Sequence, residues 1–79
     1  MVKAFVLINC ELGSENQIIS DLRDIDCVHG VYGTFGAYDI VADVESDNFE
    51  KLRQLIISKI RKIDNIRKSM TLMQSDSRN

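Results

Sequence analysis

The chain has 79 residues, a formal net charge of −2 and no proline, so it forms one small domain without a proline-rich linker. A domain of this length buries only about 60% of the surface that its unfolded chain exposes, and such domains commonly rely on metal, disulfides or self-association. One histidine and two cysteines are too few for a protein-only zinc site or a disulfide framework. Self-association is the remaining route, and neither a metal nor a cofactor is predicted.

The apolar start of the chain is a strand candidate and not a targeting segment. Its apolar run, residues 4–8, is too short for the apolar region of a signal peptide, and no small-residue cleavage site follows. No segment approaches the roughly 20 apolar residues that span a bilayer. We therefore expect a cytoplasmic protein without membrane association, with both thiols reduced.

Four β-rich segments alternate with two amphipathic segments that have the spacing of helices. The predicted strands are residues 2–10, 27–35, 38–45 and 66–74. The first helix begins at Ser14, which with Gln17 forms a Ser-x-x-Gln capping box, and ends near Asp26.

The second predicted helix is capped by Asp47 and ends at residues 64–65. Its predicted apolar stripe is Phe49, Leu52, Ile56, Ile60 and Ile63. Residues 75–79 are predicted to be a frayed tail. Residues 1–79 are therefore one domain with its core in residues 2–74.

The order β-α-β-β-α-β predicts an α+β fold of the ferredoxin-like type. Its four-stranded antiparallel sheet has the order 4-1-3-2, with both helices on one face. Apolar side chains are predicted on the other, open face: Phe5, Leu7, Val31, Phe35 and Val41. Because an open apolar sheet marks an interaction surface, we expect two copies to dimerise through it.

The same topology separates the two cysteines. Cys10 ends the first strand and Cys27 begins the second, which runs parallel to the first. The two residues should lie at opposite ends of a sheet roughly 25 Å long, at about 3.3 Å per residue. An internal disulfide cannot span that distance.

The bend between strands two and three ends in a carboxylate, in the sequence GTFGAYDIVADV. Turn geometry explains Gly36, which tolerates a left-handed backbone, but it does not require Asp39 where a strand resumes. One interpretation is that Asp39 accepts hydrogen bonds from its own turn, as aspartate often does.

With the strand and helix that follow, VHGVYGTFGAYD and NIRKSMTLM resemble the effector-binding (RAM) domain of the Lrp/AsnC transcriptional regulators. The resemblance runs from Val2 to Met73. Its most specific part is the G-x-Y-D bend, and its second part is an S-x-T in the last strand, where the family usually has T-x-T. The resemblance implies a dimer, assembled further into rings of dimers such as an octamer. It also implies a small-molecule ligand, usually an amino acid, bound between subunits.

The resemblance assigns ligand binding to six residues: Gly36, Ala37, Tyr38, Asp39, Ser69 and Thr71. Backbone N–H groups at the bend could hold the carboxylate of an amino acid, and Asp39 its ammonium group. Ser69 and Thr71 could add hydroxyl contacts, and serine at position 69 bears on the choice of ligand. In the predicted order the hairpin and strand four lie on opposite sides of the sheet, so we expect a pocket assembled across subunits.

Full-length members of the family carry an N-terminal helix-turn-helix domain that binds DNA. We expect this chain to be a stand-alone member without that domain and without direct DNA binding. It would modulate transcription or metabolism through its assembly. Seven of the ten basic residues lie between positions 51 and 68. This basic cluster is interpreted as a solvated surface that meets acidic neighbouring subunits, the alternative being a nucleic-acid patch.

Other interpretations remain open on the sequence alone. Tyr38 could serve packing, and Ser69 and Thr71 could be ordinary strand residues. The chain could also be a structural adaptor that co-assembles with full-length Lrp/AsnC regulators and needs no ligand. A small dimeric enzyme would use His29 with Asp39 or Asp43, but no nucleophile and base occur at a recognisable spacing and there is no phosphate loop. We therefore predict that the chain is not an enzyme.

Overall fold

The computed structural model describes residues 1–74, with four strands and two helices in the predicted order. The elements are β1 Val2–Cys10, α1 Glu15–Arg23, β2 Val28–Gly33, β3 Ile40–Ser46, α2 Phe49–Leu55 and β4 Ile66–Met73. A π-helical turn, Ile56–Ile60, continues α2. The predicted frayed tail, residues 75–79, lies outside the described residues.

The four strands form one antiparallel sheet in the order β2-β3-β1-β4, which confirms the predicted ferredoxin-like topology. β1 is a central strand that pairs on both sides. Val6, for example, lies opposite Ala42 of β3 and opposite Thr71 of β4.

The core lies between one face of the sheet and the two helices. Alternate residues of β1 and β3 are buried there, because successive strand side chains point to opposite faces. The strands contribute Ala4, Val6, Ile8, Ile40, Ala42 and Val44; the helices contribute Ile18, Leu22, Leu52, Ile56 and Ile60. This face is apolar enough to fix the register of the sheet, since a one-residue slip would expose it.

The helix caps differ from the predicted ones. Ser14 precedes α1, but its hydroxyl donates to the carbonyl of Glu11 and makes no capping hydrogen bond, so the predicted capping box is wrong. Asn48, and not Asp47, caps α2: its side chain accepts a hydrogen bond from Lys51 N at 2.8 Å. The backbone of Asn48 is extended, so the helix begins one residue later than predicted.

The second helix is shorter than the predicted span to residue 64. It ends in the π-helical turn, which keeps Ile56 and Ile60 buried beside Leu52. Phe49, at the start of the predicted stripe, is exposed instead. It is the first residue of the helix, directly after the cap residue Asn48.

The open face of the sheet carries a slightly different set of residues from the predicted one. Leu7 and Val41 are half-buried there and Phe5 is exposed, as their alternation requires. Val31, however, lies opposite Ala42 and is buried in the core, so its prediction is wrong. A register shift between Val28 and Gly30 moves β2 by one position, which reverses the faces of its side chains.

Tyr32 therefore takes the place on the open face that was predicted for Val31, opposite Val41. Phe35 lies beyond the end of β2 and is fully exposed at the tip of the loop. Met70 and Leu72 of β4, opposite Leu7 and Phe5, complete the exposed apolar surface.

The cysteines lie at opposite ends of the sheet, as predicted. Cys10 ends β1, whereas the carbonyl of Cys27 accepts a hydrogen bond from Glu45 N at 2.9 Å, and Glu45 pairs with Lys3 at the start of β1. Both thiols are free and buried. None of the helices in residues 1–74 is long and apolar enough to cross a membrane.

The π-helical turn offers a direct test of the core. Ile60 is 0% exposed and Ile57, on the same turn, is 46% exposed. We expect Ile60→Ala to lower the free energy of unfolding by about 2–5 kcal/mol, because it leaves a cavity beneath the sheet. Ile57→Ala should change it by less than about 1 kcal/mol. Urea denaturation of both variants measures this, and equal losses would contradict the placement of the turn.

Candidate functional site

The loop between β2 and β3 is held by polar contacts at its base. Thr34 N donates to the carbonyl of Asp39 at 2.9 Å, and the Thr34 hydroxyl donates to the carbonyl of Tyr38 at 2.6 Å. Gly36 has a φ of +126°, a backbone conformation that glycine adopts readily. Gly36 and Ala37 are exposed at the tip, so the bend itself is open to solvent.

Asp39 is anchored to the end of β1. Its N–H donates to the carbonyl of Ile8 at 2.9 Å, and its Oδ2 accepts a hydrogen bond from Cys10 N at 3.0 Å. The side chain thus bonds to a neighbouring strand rather than to its own turn. These contacts fix the carboxylate where β1 and β3 separate.

The Cys10 thiol also contacts the Asp39 carboxylate. Its Sγ lies 3.8 Å from Asp39 Oδ2. Burial raises the pKa of the Cys10 thiol above its ordinary value, although a hydrogen bond with Ser14 opposes the rise and the charge of Asp39 adds to it. A protonated thiol can donate to a carboxylate, whereas a thiolate would repel it. Cys10 therefore acts as a donor at this position.

A polar cleft of about 450 Å³ opens beside Asp39. It is lined by Asn9, Cys10, Asp39, Arg67 and Lys68. The cleft thus combines one carboxylate with two cations. In residues 1–74 neither cation lies within 4 Å of the Asp39 carboxylate; Arg67 Nε instead lies 3.6 Å from Glu11 Oε2.

The base of the hairpin reaches across β1 towards β4, within the predicted strand order. Only β1 separates β3 from β4, and the Tyr38 hydroxyl lies 3.9 Å from the sulfur of Met70. Within one chain the bend does not share a cleft with Ser69 or Thr71, so the expectation that a pocket using both is assembled across subunits stays a prediction. Asp39 and the first residues of β4 line one cleft within a single chain.

Ser69 and Thr71 lie on the other face of the sheet. They pair with Ile8 and Val6, whose side chains are buried beneath the helices. The Thr71 hydroxyl oxygen is buried and has no hydrogen-bond partner within residues 1–74. It borders a separate cleft of about 340 Å³, whose lining includes Arg53 and Arg61.

The six predicted site residues therefore occupy three settings in one chain. Asp39 lines the polar cleft, with Tyr38 close by over Met70. Gly36 and Ala37 form the exposed tip, and Ser69 and Thr71 face the helices. Sequence reasoning missed Asn9 and treated Arg67 and Lys68 only as part of the basic cluster. Strand alternation, applied to β4 as it was to β1, would have placed Lys68 on the opposite face from Ser69, and the strand register places it beside Asn9.

His29 lies at the opposite end of the sheet from Asp39. Its Nε2 is 3.8 Å from Glu45 Oε1, and Lys3 Nζ is 3.6 Å from the other Glu45 oxygen and 3.7 Å from Asp43. The pairing of His29 with Asp39 considered for an enzyme is thus wrong. Among residues 1–74 no cluster of three His, Cys, Asp or Glu side chains could hold a metal ion.

A larger cleft of about 570 Å³ lies at that opposite end. Its lining includes His29 and Glu45, which contact each other, and Asp47 and Lys51, whose oxygen and nitrogen are 3.5 Å apart. Because these side chains already contact each other, a ligand would gain less binding free energy from them. The Asp39 cleft is therefore the stronger candidate site.

Comparison with solved structures gives neighbours that cover nearly the whole chain. FFRP-DM1 is 34% identical with a TM-score of 0.89, over 94% of this chain and 99% of its own. The hypothetical protein PHS023 from Pyrococcus horikoshii is 32% identical with a TM-score of 0.90, over 98% of this chain and 93% of its own. AsnC from E. coli is 27% identical with a TM-score of 0.88, and the match covers 96% of this chain but 52% of AsnC.

A search of curated protein sequences finds no match to the chain. A family profile, described as the Lrp/AsnC ligand binding domain, matches residues 3–77. The match covers both the G-x-Y-D bend and the S-x-T strand on which the resemblance was based. The chain belongs to the Lrp/AsnC ligand-binding domain family.

Proposed function

We propose that this chain binds an amino acid at the Asp39 cleft and modulates transcription or metabolism through self-association. The observation that carries the proposal is the setting of Asp39. Its Oδ2 is occupied by Cys10 N, and no donor within residues 1–74 bonds to its Oδ1. A carboxylate that is held in place and has one free oxygen is suited to a ligand ammonium group.

The position of the cleft supports a link between binding and assembly. Asn9 and Lys68 lie two residues along their strands from Leu7 and Met70, so they share the open face with those residues, and Asp39 directly precedes β3 at the same end of the sheet. A second copy that covered this apolar face would bring its own surface to the rim of the cleft. Binding at a rim between subunits can alter the free energy of association.

Self-association itself is supported by the surface that the helices leave uncovered. Phe5, Tyr32, Met70 and Leu72 are exposed on one continuous sheet face, together with the half-buried Leu7. Apolar patches of this kind mark protein–protein contacts. We place the dimer here, and rings of dimers remain part of the proposal.

An adaptor role is the second candidate, and one observation favours it. The region of E. coli AsnC that resembles this chain is about half of that protein, so the same fold occurs within a longer chain. A mixed dimer with such a protein needs no ligand. Co-purification of differently tagged proteins after mixing would detect it. Direct DNA binding and catalysis are not proposed, and we place the protein in the cytoplasm.

The role of Asp39 predicts a specific effect of removing its charge. Asp39→Asn should keep the fold, because an amide oxygen can still accept the hydrogen bond from Cys10 N. It should weaken amino-acid binding about tenfold, since hydrogen bonds to charged groups contribute about 1.5–3 kcal/mol and neutral ones about half of that. Thermal-shift screening of the twenty amino acids identifies the ligand, and calorimetric titration measures its affinity.

The matched control is Asp47→Asn, which removes the same charge at the exposed end of β3 far from the cleft. It should leave the affinity unchanged. Thr71→Val removes the buried hydroxyl beside the separate cleft on the other face of the sheet, and it should leave the affinity of the Asp39 cleft unchanged. An unchanged affinity in Asp39→Asn would restrict the carboxylate to holding β1, and the proposal would be wrong.

The open face predicts a second effect. Leu7→Asp should place a charge against the partner's sheet and shift the protein towards monomer, because burying an unpaired charge is costly. Leu12→Asp is the control: Leu12 is 97% exposed in the loop after β1 and lies outside the open face. Light scattering at micromolar concentration, with circular dichroism to check folding, compares the two. A wild-type protein that is monomeric there would contradict dimerisation.

A further inference from the structure

We infer that the Asp39 cleft binds its ligand as a zwitterion, with the ammonium group on Asp39 and the carboxylate on Lys68. The inference rests on the proposed function and deepens it. It assigns the ligand carboxylate to Lys68 of β4 instead of the backbone N–H groups of the glycine bend. Gly36 and Ala37, whose N–H groups were expected to hold the carboxylate, do not line the cleft.

Three of the polar residues of the cleft, Asp39, Asn9 and Lys68, lie side by side at one end of the sheet. Ile40, the first residue of β3, lies opposite Ile8, and Asp39 precedes it with hydrogen bonds to Ile8 and Cys10, so Asp39 lies beside Asn9. Asn9 in turn lies opposite Lys68 of β4. The row Asp39–Asn9–Lys68 is therefore two strand spacings wide, about 10 Å between the outer Cα atoms.

That width fits an α-amino acid. The Asp39 carboxylate and the Lys68 ammonium group do not contact each other, and no ion pair joins them within residues 1–74. A zwitterion placed between them would form two charge-assisted hydrogen bonds of about 2.8 Å, one at each end. The Asn9 amide, which has both donors and an acceptor, lies between the two charges and can contact either end of the ligand.

Lys68 is the more available of the two cations. Arg67 lies 3.6 Å from Glu11, so part of its charge is already satisfied within the chain. Lys68 is exposed, and no carboxylate of residues 1–74 lies within ion-pair distance of it. The cleft therefore holds an unpaired cation, Lys68, beside a carboxylate with a free oxygen, Asp39. A ligand that carries one negative and one positive charge can contact both.

This arrangement predicts which compounds the cleft discriminates. A primary amine without a carboxylate keeps only the contact with Asp39, and a carboxylic acid without an ammonium group keeps only the contact with Lys68. Both should bind more weakly than the corresponding α-amino acid. The cleft would therefore select the α-amino-acid head group, while the ligand side chain is read elsewhere.

The test uses Lys68→Gln and two ligands: the amino acid that stabilises the wild-type protein most in the screen, and the amine obtained from it by decarboxylation. Calorimetric titration, with competition for the weaker ligand, measures both affinities. Lys68→Gln should weaken binding of the amino acid about tenfold. It should not weaken binding of the amine, because the amine has no carboxylate for Lys68 to hold and loses only a like charge nearby. Lys62→Gln, an exposed lysine in the turn before β4, is the control and should change neither affinity.

Each outcome decides the inference. A loss confined to the amino acid supports it. An unchanged amino-acid affinity in Lys68→Gln, or an equal loss for both ligands, overturns it. If Asp39→Asn still weakens binding in that case, the proposed function stands while the assignment of Lys68 falls. If the wild-type protein binds none of the twenty amino acids, the proposed function and this inference both fall.

Discussion

The central position of β1 determines both the fold and the candidate site. β1 pairs with β3 on one side and with β4 on the other, so these three strands share one register. β1 ends at Cys10, whose N–H donates a hydrogen bond to Asp39 Oδ2 at 3.0 Å. That hydrogen bond connects the last residue of the central strand to the start of β3. Because β4 begins on the other side of Cys10, the carboxylate and the basic residues of β4 border the same cleft.

The two faces of the sheet have separate roles, and strand alternation assigns them. Ala4, Val6 and Ile8 are buried beneath the helices and stabilise the fold. Their neighbours Leu7 and Asn9 lie on the open face, where Leu7 adjoins the apolar surface and Asn9 the polar cleft. A domain of 79 residues buries only a small core. The uncovered apolar surface therefore destabilises the monomer and favours self-association. The candidate ligand site lies at the rim of that surface.

Local pattern and connection rules predicted the order of the elements, the order of the strands and the separation of the cysteines. Those features depend on periodicity and on right-handed crossovers, both of which are readable from residue types. The prediction for Val31 failed because a register shift in β2 reverses its face; Gly30 is the kind of isolated strand glycine that accompanies such a bulge, and its signal was not used. The capping box at Ser14 failed because its hydroxyl bonds backwards to Glu11.

The site was predicted less completely for a related reason. The motif residues Ser69 and Thr71 alternate with Lys68 and Met70, so a strand that presents the first pair to the helices presents the second pair to the open face. A motif names residues without saying which face each occupies. Asp39 was identified correctly as a residue that turn geometry does not explain, but its partner Cys10 is 29 positions away in the chain. Such a contact becomes visible only when the strand register is known.

The central claim is that Asp39 holds the ammonium group of a bound amino acid. A crystal structure of the chain grown with the amino acid that stabilises it most would test this directly. The account predicts the ligand nitrogen at about 2.8–3.0 Å from Asp39 Oδ1, on the open face, with Cys10 N still bonded to Oδ2. A ligand bound instead in the cleft beside Thr71, between Arg53 and Arg61, with no contact to Asp39, would contradict it.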